Sequence, residues 1–195
     1  NVWLTAAALP ALKRSRGLRA GVAITPKIST LPFPSSIPKV SAGRSIMPQH
    51  RVHVDFPGRL LIVGFGSIGQ GVLPLILRHV GIAADRITIM TAEDAGQPEA
   101  AEFGVRFIKQ PITRDNYKRI LDPLVGRGDF LLNLSVDVSS IALIKLCAEK
   151  GALYLDTCIE PWLGGYTDPA MSPSKRSNYA LREEALALRD QFPRG

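Results

Sequence analysis

The stretch that decides the fold is RLLIVGFGSIGQGVLPLILRHVG, residues 59–81. Its apolar run Leu60–Val63 is typical of a strand that is buried on both faces. Gly64, Gly66 and Gly69 follow in G-x-G-x-x-G spacing, ahead of an apolar helical run. In such a unit the first glycine permits the turn, the second admits a pyrophosphate, and the third lets helix and strand pack closely. The stretch predicts a dinucleotide-binding turn with phosphates at the helix start, and a ligand-free βα turn is the alternative.

Strands and helices alternate along the rest of the chain. We expect the helix that follows the Phe130–Leu134 strand to be capped by Ser139 or Ser140 and to end at Gly151. The alternation predicts an α/β fold with a doubly wound, mostly parallel sheet of the Rossmann type, which places ligands at the carboxyl ends of the strands. The further strands are expected at Ile87–Met90, Val105–Ile108, Phe130–Leu134 and Ala152–Leu155, and the further helices at Thr113–Val125, capped by Thr113 or Asp115, and Ser174–Asp190.

The positive charge of the chain is concentrated near its beginning. The net charge is +7, yet eight of the 24 basic residues and none of the 17 acidic residues lie in positions 1–54. Residues 1–50 also carry six prolines and no sustained periodicity, so we expect a disordered basic leader and a domain over residues 51–195. A transit-type leader, a nucleic-acid arm and translated sequence upstream of a start at Met47 are the three interpretations, and we favour the third.

Other features narrow the class of protein. Cys147 and Cys158 form no C-x-x-C pair and His50, His53 and His79 are scattered, so we expect no metal site and no disulfide framework. No apolar run approaches the roughly 20 residues that a membrane span needs. These observations favour a reducing, cytoplasmic setting without membrane or nucleic-acid partners.

Two carboxylates are candidates for chemistry at the carboxyl edge of the sheet. Asp137 directly follows a buried-type strand, and it either serves a site or caps the helix that begins near Ser139. Glu160 stands beside Trp162, and a carboxylate with an aromatic neighbour suits an alkylammonium through a salt bridge and a cation–π contact. The plainer interpretation makes Trp162 a packing residue and Glu160 a loop acid.

Polar residues on the neighbouring loops are candidates for the cofactor. Asn133 and Ser135 are placed to contact a ribose or a phosphate. A ribose-binding acid is expected at the tip of the second strand, where Thr91 stands, so Glu93 or Asp94 would have to reach back. Solvated loop acids are the alternative for this pair.

Six strings in order resemble the amino-terminal part of bacterial homospermidine synthases, relatives of saccharopine dehydrogenases. They are GFGSIGQGVLPLILRH, ITRDNY, NLSVDVSS, GALYLDT, EPWLG and RSNYALRE, and they run from about Arg59 to Asp190. The resemblance implies an enzyme that holds NAD as an internal hydride store and joins two putrescines, or putrescine and spermidine, by oxidation, loss of ammonia, condensation and re-reduction. It implies catalytic diamine-pocket roles for Asp137 and Glu160. The family's GFGSIG string corresponds to Gly64, Phe65, Gly66, Ser67, Ile68 and Gly69. With Glu93, Asn133, Ser135 and Thr157, these are the predicted cofactor-binding residues.

Two departures from the family pattern shape further expectations. Thr91 stands where relatives carry an acid, which leaves open how the adenosine ribose is held. Family members are much longer at the carboxyl end, so we expect this chain to be incomplete there and inactive alone, with a homodimeric parent. A saccharopine or carboxynorspermidine dehydrogenase-like oxidoreductase and a non-catalytic NAD-binding module are the alternatives.

Overall fold

The computed structural model describes residues 50–192. Five strands form one sheet in which every neighbouring pair is parallel, and the predicted α/β fold is confirmed. The sheet order is β5-β4-β2-β6-β7. Its strands are β2 (Leu60–Val63), β4 (Ile87–Thr91), β5 (Arg106–Lys109), β6 (Phe130–Asn133) and β7 (Leu153–Asp156), while β1 (Val54–Asp55) and β3 (Val80–Gly81) form a separate parallel pair that the sequence did not predict.

Helices cover both faces of the sheet. They are α1 (Ser67–His79), α2 (Gln97–Glu102), α3 (Tyr117–Leu121), α4 (Ser140–Lys150) and α5 (Asn178–Ala187), with 3-10 turns at Ala84–Arg86, Pro173–Lys175 and Arg189–Gln191. Strand β2 lies at the centre and all four of its residues are buried. Because side chains alternate along a strand, Leu61 and Val63 join the core under α4, while Leu60 and Ile62 join the core under α1. This two-sided burial explains the continuous apolar run.

Several predicted boundaries were wrong. The third strand lies one residue later than expected, and α3 covers only part of the predicted Thr113–Val125 helix. The Asn116 side chain accepts a hydrogen bond from the Thr113 backbone N–H (2.8 Å) and donates one to the Pro111 carbonyl (3.1 Å). These bonds hold residues 111–116 in a turn, so neither Thr113 nor Asp115 caps the helix. Pro123 has no N–H to extend it at the other end.

The last predicted helix is divided, and the helix before it is confirmed. Ser177 is extended and its hydroxyl accepts a hydrogen bond from the Ala180 N–H (3.3 Å), so α5 begins after the 3-10 turn. In α4 the cap is Ser139, whose hydroxyl accepts from the Ala142 N–H, and Gly151 adopts the left-handed conformation just past the end. Leu143 is fully buried in this helix.

His79, which is far from His50 and His53 in the sequence, lies close to both in the structure. The rings of His50 and His53 each lie within 6 Å of the His79 ring, at centroid distances of 5.8 and 5.6 Å, so the three are not scattered. Within residues 50–192 no group of three potential ligands is arranged to hold a metal ion. Both cysteines are free thiols. No helix in the described part of the chain is long and apolar enough to cross a membrane. The predicted leader covers residues 1–50, and residues 1–49 of it lie outside the described residues.

A buried carboxylate joins the amino ends of the two central strands. Asp129, just before β6, accepts hydrogen bonds from the Arg59 N–H (2.8 Å), the Arg59 guanidinium (2.6 and 3.0 Å) and the Gly126 N–H (2.8 Å). Burial by itself raises the pKa of Asp129, but these donors outweigh it and hold the pKa below its usual range. The ionised carboxylate therefore fixes the start of β6 against the start of β2.

We expect Asp129→Asn to destabilise the fold by about 1–3 kcal/mol, because an amide nitrogen would face donors that now meet a carboxylate oxygen. A depressed native pKa contributes stability above the unfolded pKa of about 3.9, and that stability is lost as the pH falls through the native pKa. Urea unfolding from pH 7 down to pH 3 should therefore show a smaller acid-induced loss in the variant than in the parent. Asp94→Asn, at an exposed ion pair, is the control. Equal stability of parent and Asp129→Asn at pH 7 would contradict this role.

Candidate functional site

The glycine turn is built by a close approach of two loops. Gly64 has φ +84°, and its N–H donates to the Met90 carbonyl of β4 (2.8 Å). A Cβ atom at this position would lie 2.7 Å from the Ser135 backbone nitrogen, in the loop after β6. Gly64 is therefore required both by the left-handed backbone and by the neighbouring chain.

The other two glycines of the motif have different surroundings. A Cβ atom on Gly66 would meet nothing within 4 Å, so open space lies above the backbone at the start of α1. A Cβ atom on Gly69 would lie 2.8 Å from the Phe65 ring, which is buried. Gly69 thus permits close packing, as expected, although the contact is with a side chain of the turn itself.

The motif opens onto a cavity of about 640 Å³ at the carboxyl edge of the sheet. Its walls come from the ends of β2, β4 and β6 and from the segment that contains Trp162. A volume of this size lies within the range of cofactor and small-molecule sites. The cavity brings together six of the predicted site residues, which are Gly64, Phe65, Gly66, Glu93, Ser135 and Asp137.

The remaining predicted residues do not line this cavity. Ser67 and Ile68 are exposed on the first turn of α1. Thr157 is exposed just after β7. Asn133 is buried at the end of β6, where its side-chain oxygen accepts hydrogen bonds from the Ser135 N–H (3.2 Å) and hydroxyl (2.6 Å). Asn133 therefore orients Ser135, which itself faces the cavity.

The acids after β4 differ in what they contact. The exposed Asp94 carboxylate accepts a hydrogen bond from Lys109 (2.9 Å), and this bond lowers the pKa of Asp94. Glu93 lines the cavity together with Thr91, the last residue of β4. Of the two candidate ribose acids, only Glu93 faces the place where a dinucleotide would lie.

Asp137 is held in an unusual backbone conformation. It is the only non-glycine residue with positive φ (+61°) in the described part of the chain, and its carboxylate is exposed. Its carbonyl accepts a hydrogen bond from the Leu163 N–H (3.2 Å). Ser139 supplies the helix cap, so the interpretation of Asp137 as a capping residue was wrong. Backbone strain of this kind is found most often at functional sites.

Glu160 lies in the loop after β7, as expected, and is buried there. Its N–H donates to the Ser140 hydroxyl (2.9 Å), and its carbonyl accepts from the Ser140 N–H (2.9 Å). Ser140 is fully buried and thus fixes the backbone of Glu160 to the start of α4. Burial, followed by a hydrogen bond to the Glu160 carboxylate, raises the pKa of the Cys158 thiol.

Tyr166 lies near both candidate carboxylates, Asp137 and Glu160. The pKa of Tyr166 is raised, first by burial and then by the negative charges of Glu160, Cys158 and Asp137. Its hydroxyl donates to the Ile159 carbonyl (3.0 Å). The Leu163 N–H also donates to the Asp137 carbonyl, so the segment after β7 lies against the loop after β6.

Trp162 has a packing role and also faces the cavity. Its ring lies 5.3 Å from the Tyr117 ring, at an interplanar angle of 53°. The same residue lines the wall of the dinucleotide cavity next to Leu163. The two interpretations of Trp162 are thus compatible, since one edge packs on α3 while the residue still borders the site.

A series of hydrogen bonds joins three polar side chains next to the site, and the sequence did not predict it. The Asn133 amide donates to the Tyr154 hydroxyl (3.4 Å), which donates to the Asp156 carboxylate (2.9 Å). Burial raises the pKa of Tyr154, so its hydroxyl keeps its proton. These hydrogen bonds link the end of β6 to the end of β7. The alternation of Tyr154 and Asp156 along β7, which puts both on one face, is the signal that could have revealed it.

Residues 60–195 match the family model described as the saccharopine dehydrogenase NADP binding domain. The chain belongs to this family. Membership in the saccharopine dehydrogenase NADP-binding domains agrees with the open glycine turn and the cavity beside it.

The curated relatives of this family member include homospermidine synthases. One from Blastochloris viridis is 49% identical over 147 residues, covering 74% of this chain and 31% of that protein. One from Mesorhizobium japonicum is 41% identical over 147 residues, covering 74% and 30%. The crystal structure of a homospermidine synthase from Legionella pneumophila in complex with NAD is similar with a TM-score of 0.63 and 39% identity, covering 71% of this chain and 28% of that one. The chain thus spans about a third of the length of these relatives.

The glycines give a matched pair of stability predictions. We expect Gly64→Ala to unfold at clearly lower urea concentration than the parent, because Ala is strained at φ +84° and its Cβ meets the Ser135 backbone. Gly66→Ala should unfold within about 0.5 kcal/mol of the parent, since its Cβ projects into open space. Equal midpoints for the two variants would contradict the assignment of Gly64 to the fold and Gly66 to the cavity.

Proposed function

We propose that this chain is the NAD-binding part of a homospermidine synthase, which joins putrescine to a second putrescine or to spermidine. The observation that carries the proposal is that one cavity is lined by both the open glycine turn and Asp137, while the buried Glu160 lies two residues before Trp162 of the same lining. A dinucleotide site and a cationic-amine site would then adjoin. The relatives named above carry this activity in their names.

The residues present fit a dinucleotide. Open space at Gly66, the exposed first turn of α1 and the oriented Ser135 suit a pyrophosphate and its ribose. The helix start also carries no acidic residue that would repel phosphate. When bound, NAD supplies a hydride acceptor that later returns the hydride, so the overall reaction needs no external oxidant.

The choice of NAD over NADP rests on Glu93. Glu93 lines the cavity beyond the end of β4. An acid at this place accepts a hydrogen bond from the ribose 2′-hydroxyl and repels a 2′-phosphate. Arg114 lines the same cavity and is the one feature that would favour a phosphate. The homospermidine synthase from Legionella pneumophila was solved with NAD, which supports the first choice.

The protein residues give the amine a place and a charge partner. Asp137 and Glu160 supply negative charge to a diammonium ligand, and Trp162 supplies an aromatic face. The hydrogen bonds between Ser140 and Glu160 fix the backbone of Glu160 to the start of α4. The parent enzyme in this proposal is a cytoplasmic homodimer that acts on small diamines without nucleic-acid or membrane partners. Inactivity of this chain alone stays a prediction.

Cofactor binding tests the proposal directly. We expect NAD to raise the melting temperature of the chain and NADP to raise it less, since a ligand at 100 times its Kd adds about 2.7 kcal/mol. Gly66→Ala should lose this shift while melting normally without ligand. Glu93→Gln should narrow the difference between NAD and NADP. A well-folded chain that melts identically with and without NAD would contradict the proposed function.

The amine site is tested with putrescine on the NAD-loaded chain. We expect Glu160→Gln to weaken putrescine binding by roughly tenfold or more, about 1.4 kcal/mol, because the ammonium loses its charge partner while the backbone bonds to Ser140 remain. Calorimetric titration measures the change. Glu149→Gln, on the exposed face of α4, should bind like the parent. Equal putrescine affinity in the Glu160 and Glu149 variants would remove Glu160 from the site.

A further inference from the structure

A second cavity, of about 440 Å³, lies on the other side of Trp162. It is enclosed by the start of α4, the segment after β7 and the residues that lead from the Pro173–Lys175 turn into α5. Its volume falls within the range of small-molecule sites. The proposed cofactor and amine chemistry assigns it no role.

The lining of this cavity is strongly basic. Arg114, Lys145, Lys175 and Arg176 lie around it, against the single carboxylate of Glu184. Within residues 50–192 none of these four cations forms a salt bridge, although cations elsewhere, such as Arg59 and Lys109, do. Four cations without a salt bridge around one cavity favour anions over cations there.

One atom of this lining is left without an acceptor. The Nε of Arg176 is the only buried side-chain nitrogen or oxygen in the described residues that has no hydrogen-bond partner. An unsatisfied buried donor costs about 1–3 kcal/mol, and more for a charged group. Guanidinium groups satisfy their donors best with the oxygens of carboxylates and phosphates, often in pairs. An oxyanion acceptor would therefore satisfy the unpaired Nε of Arg176 best.

The adjoining helix adds to the same preference. Ser139, Ile141 and Ala142, at the start of α4, line the cavity, and the first turn of this eleven-residue helix contains no acidic residue. The helix dipole places partial positive charge at this end. The start of α4 therefore favours an anion on its own side of the cavity. The lining also contains Tyr166, whose pKa is raised first by burial and then by the negative charges of Glu160, Cys158 and Asp137.

We propose that this cavity binds a small, multiply charged oxyanion of the phosphate class, held by Arg176 and Lys145 against the start of α4. The four cations disfavour a diammonium ligand at this place. Arg114 and Trp162 line both cavities, whereas Lys145, Lys175 and Arg176 line this one and not the dinucleotide cavity.

Titration with inorganic phosphate at constant ionic strength tests this site. We expect phosphate to raise the melting temperature of the chain saturably, whereas KCl at matched ionic strength does not. Arg176→Gln and Lys145→Gln should each weaken phosphate binding at least tenfold. Lys118→Gln, which removes a cation that is paired with Glu149 outside the cavity, should bind like the parent.

The glycine turn is the competing location for phosphate, and Gly66→Ala separates the two. We expect this variant to bind phosphate like the parent even though it loses NAD. Loss of phosphate binding in Gly66→Ala with retention in Lys145→Gln would overturn the proposal, as would equal effects of phosphate and KCl. Lys145 is exposed, so its variant decides the question even where Arg176→Gln does not fold. Failure of NAD to bind leaves this test unaffected, which keeps it distinct from the proposed function.

Discussion

The approach of the Gly64 backbone to the Ser135 backbone sets the geometry of the whole carboxyl edge. A side chain on Gly64 would collide with the Ser135 nitrogen, so the two central loops can lie together only with glycine there. The Leu134 N–H donates to the Val63 carbonyl (2.7 Å) and extends the β2–β6 pairing up to this contact. Strands β2 and β6 stay paired up to this contact. The cavity opens where the two loops that follow them diverge.

A second layer of bonds turns this edge into a site with defined charge. Ser140 holds the Glu160 backbone, and the Leu163 N–H holds the Asp137 carbonyl, so the segment after β7 is fastened to the loop after β6 at two points. Asp137 lines the cavity on one side of Trp162, while Lys145, Lys175 and Arg176 line the cavity on the other. In our proposals the first cavity takes a cationic ligand beside the dinucleotide and the second takes an anionic one.

Local patterns were sufficient to predict the sheet, its parallel pairing and the glycine turn, because a buried apolar run and a G-x-G-x-x-G spacing have few other solutions. They were insufficient for α3 and α5, where Asn116 and Ser177 form turns with neighbours that no periodicity reveals. Burial of Glu160 was missed for a related reason. It depends on Ser140, twenty residues away, and such a tertiary bond leaves no mark in the surrounding sequence. The basic cavity likewise joins residues from four separate segments.

The central claim is that a dinucleotide and a diamine lie in contact within one cavity. It is tested most directly by NMR on the chain with NAD and putrescine, measuring nuclear Overhauser effects between the nicotinamide C4 proton and the putrescine C1 protons. The account predicts a cross-peak that disappears in Glu160→Gln and remains in Glu149→Gln. Simultaneous binding of both ligands with no cross-peak between them would contradict it.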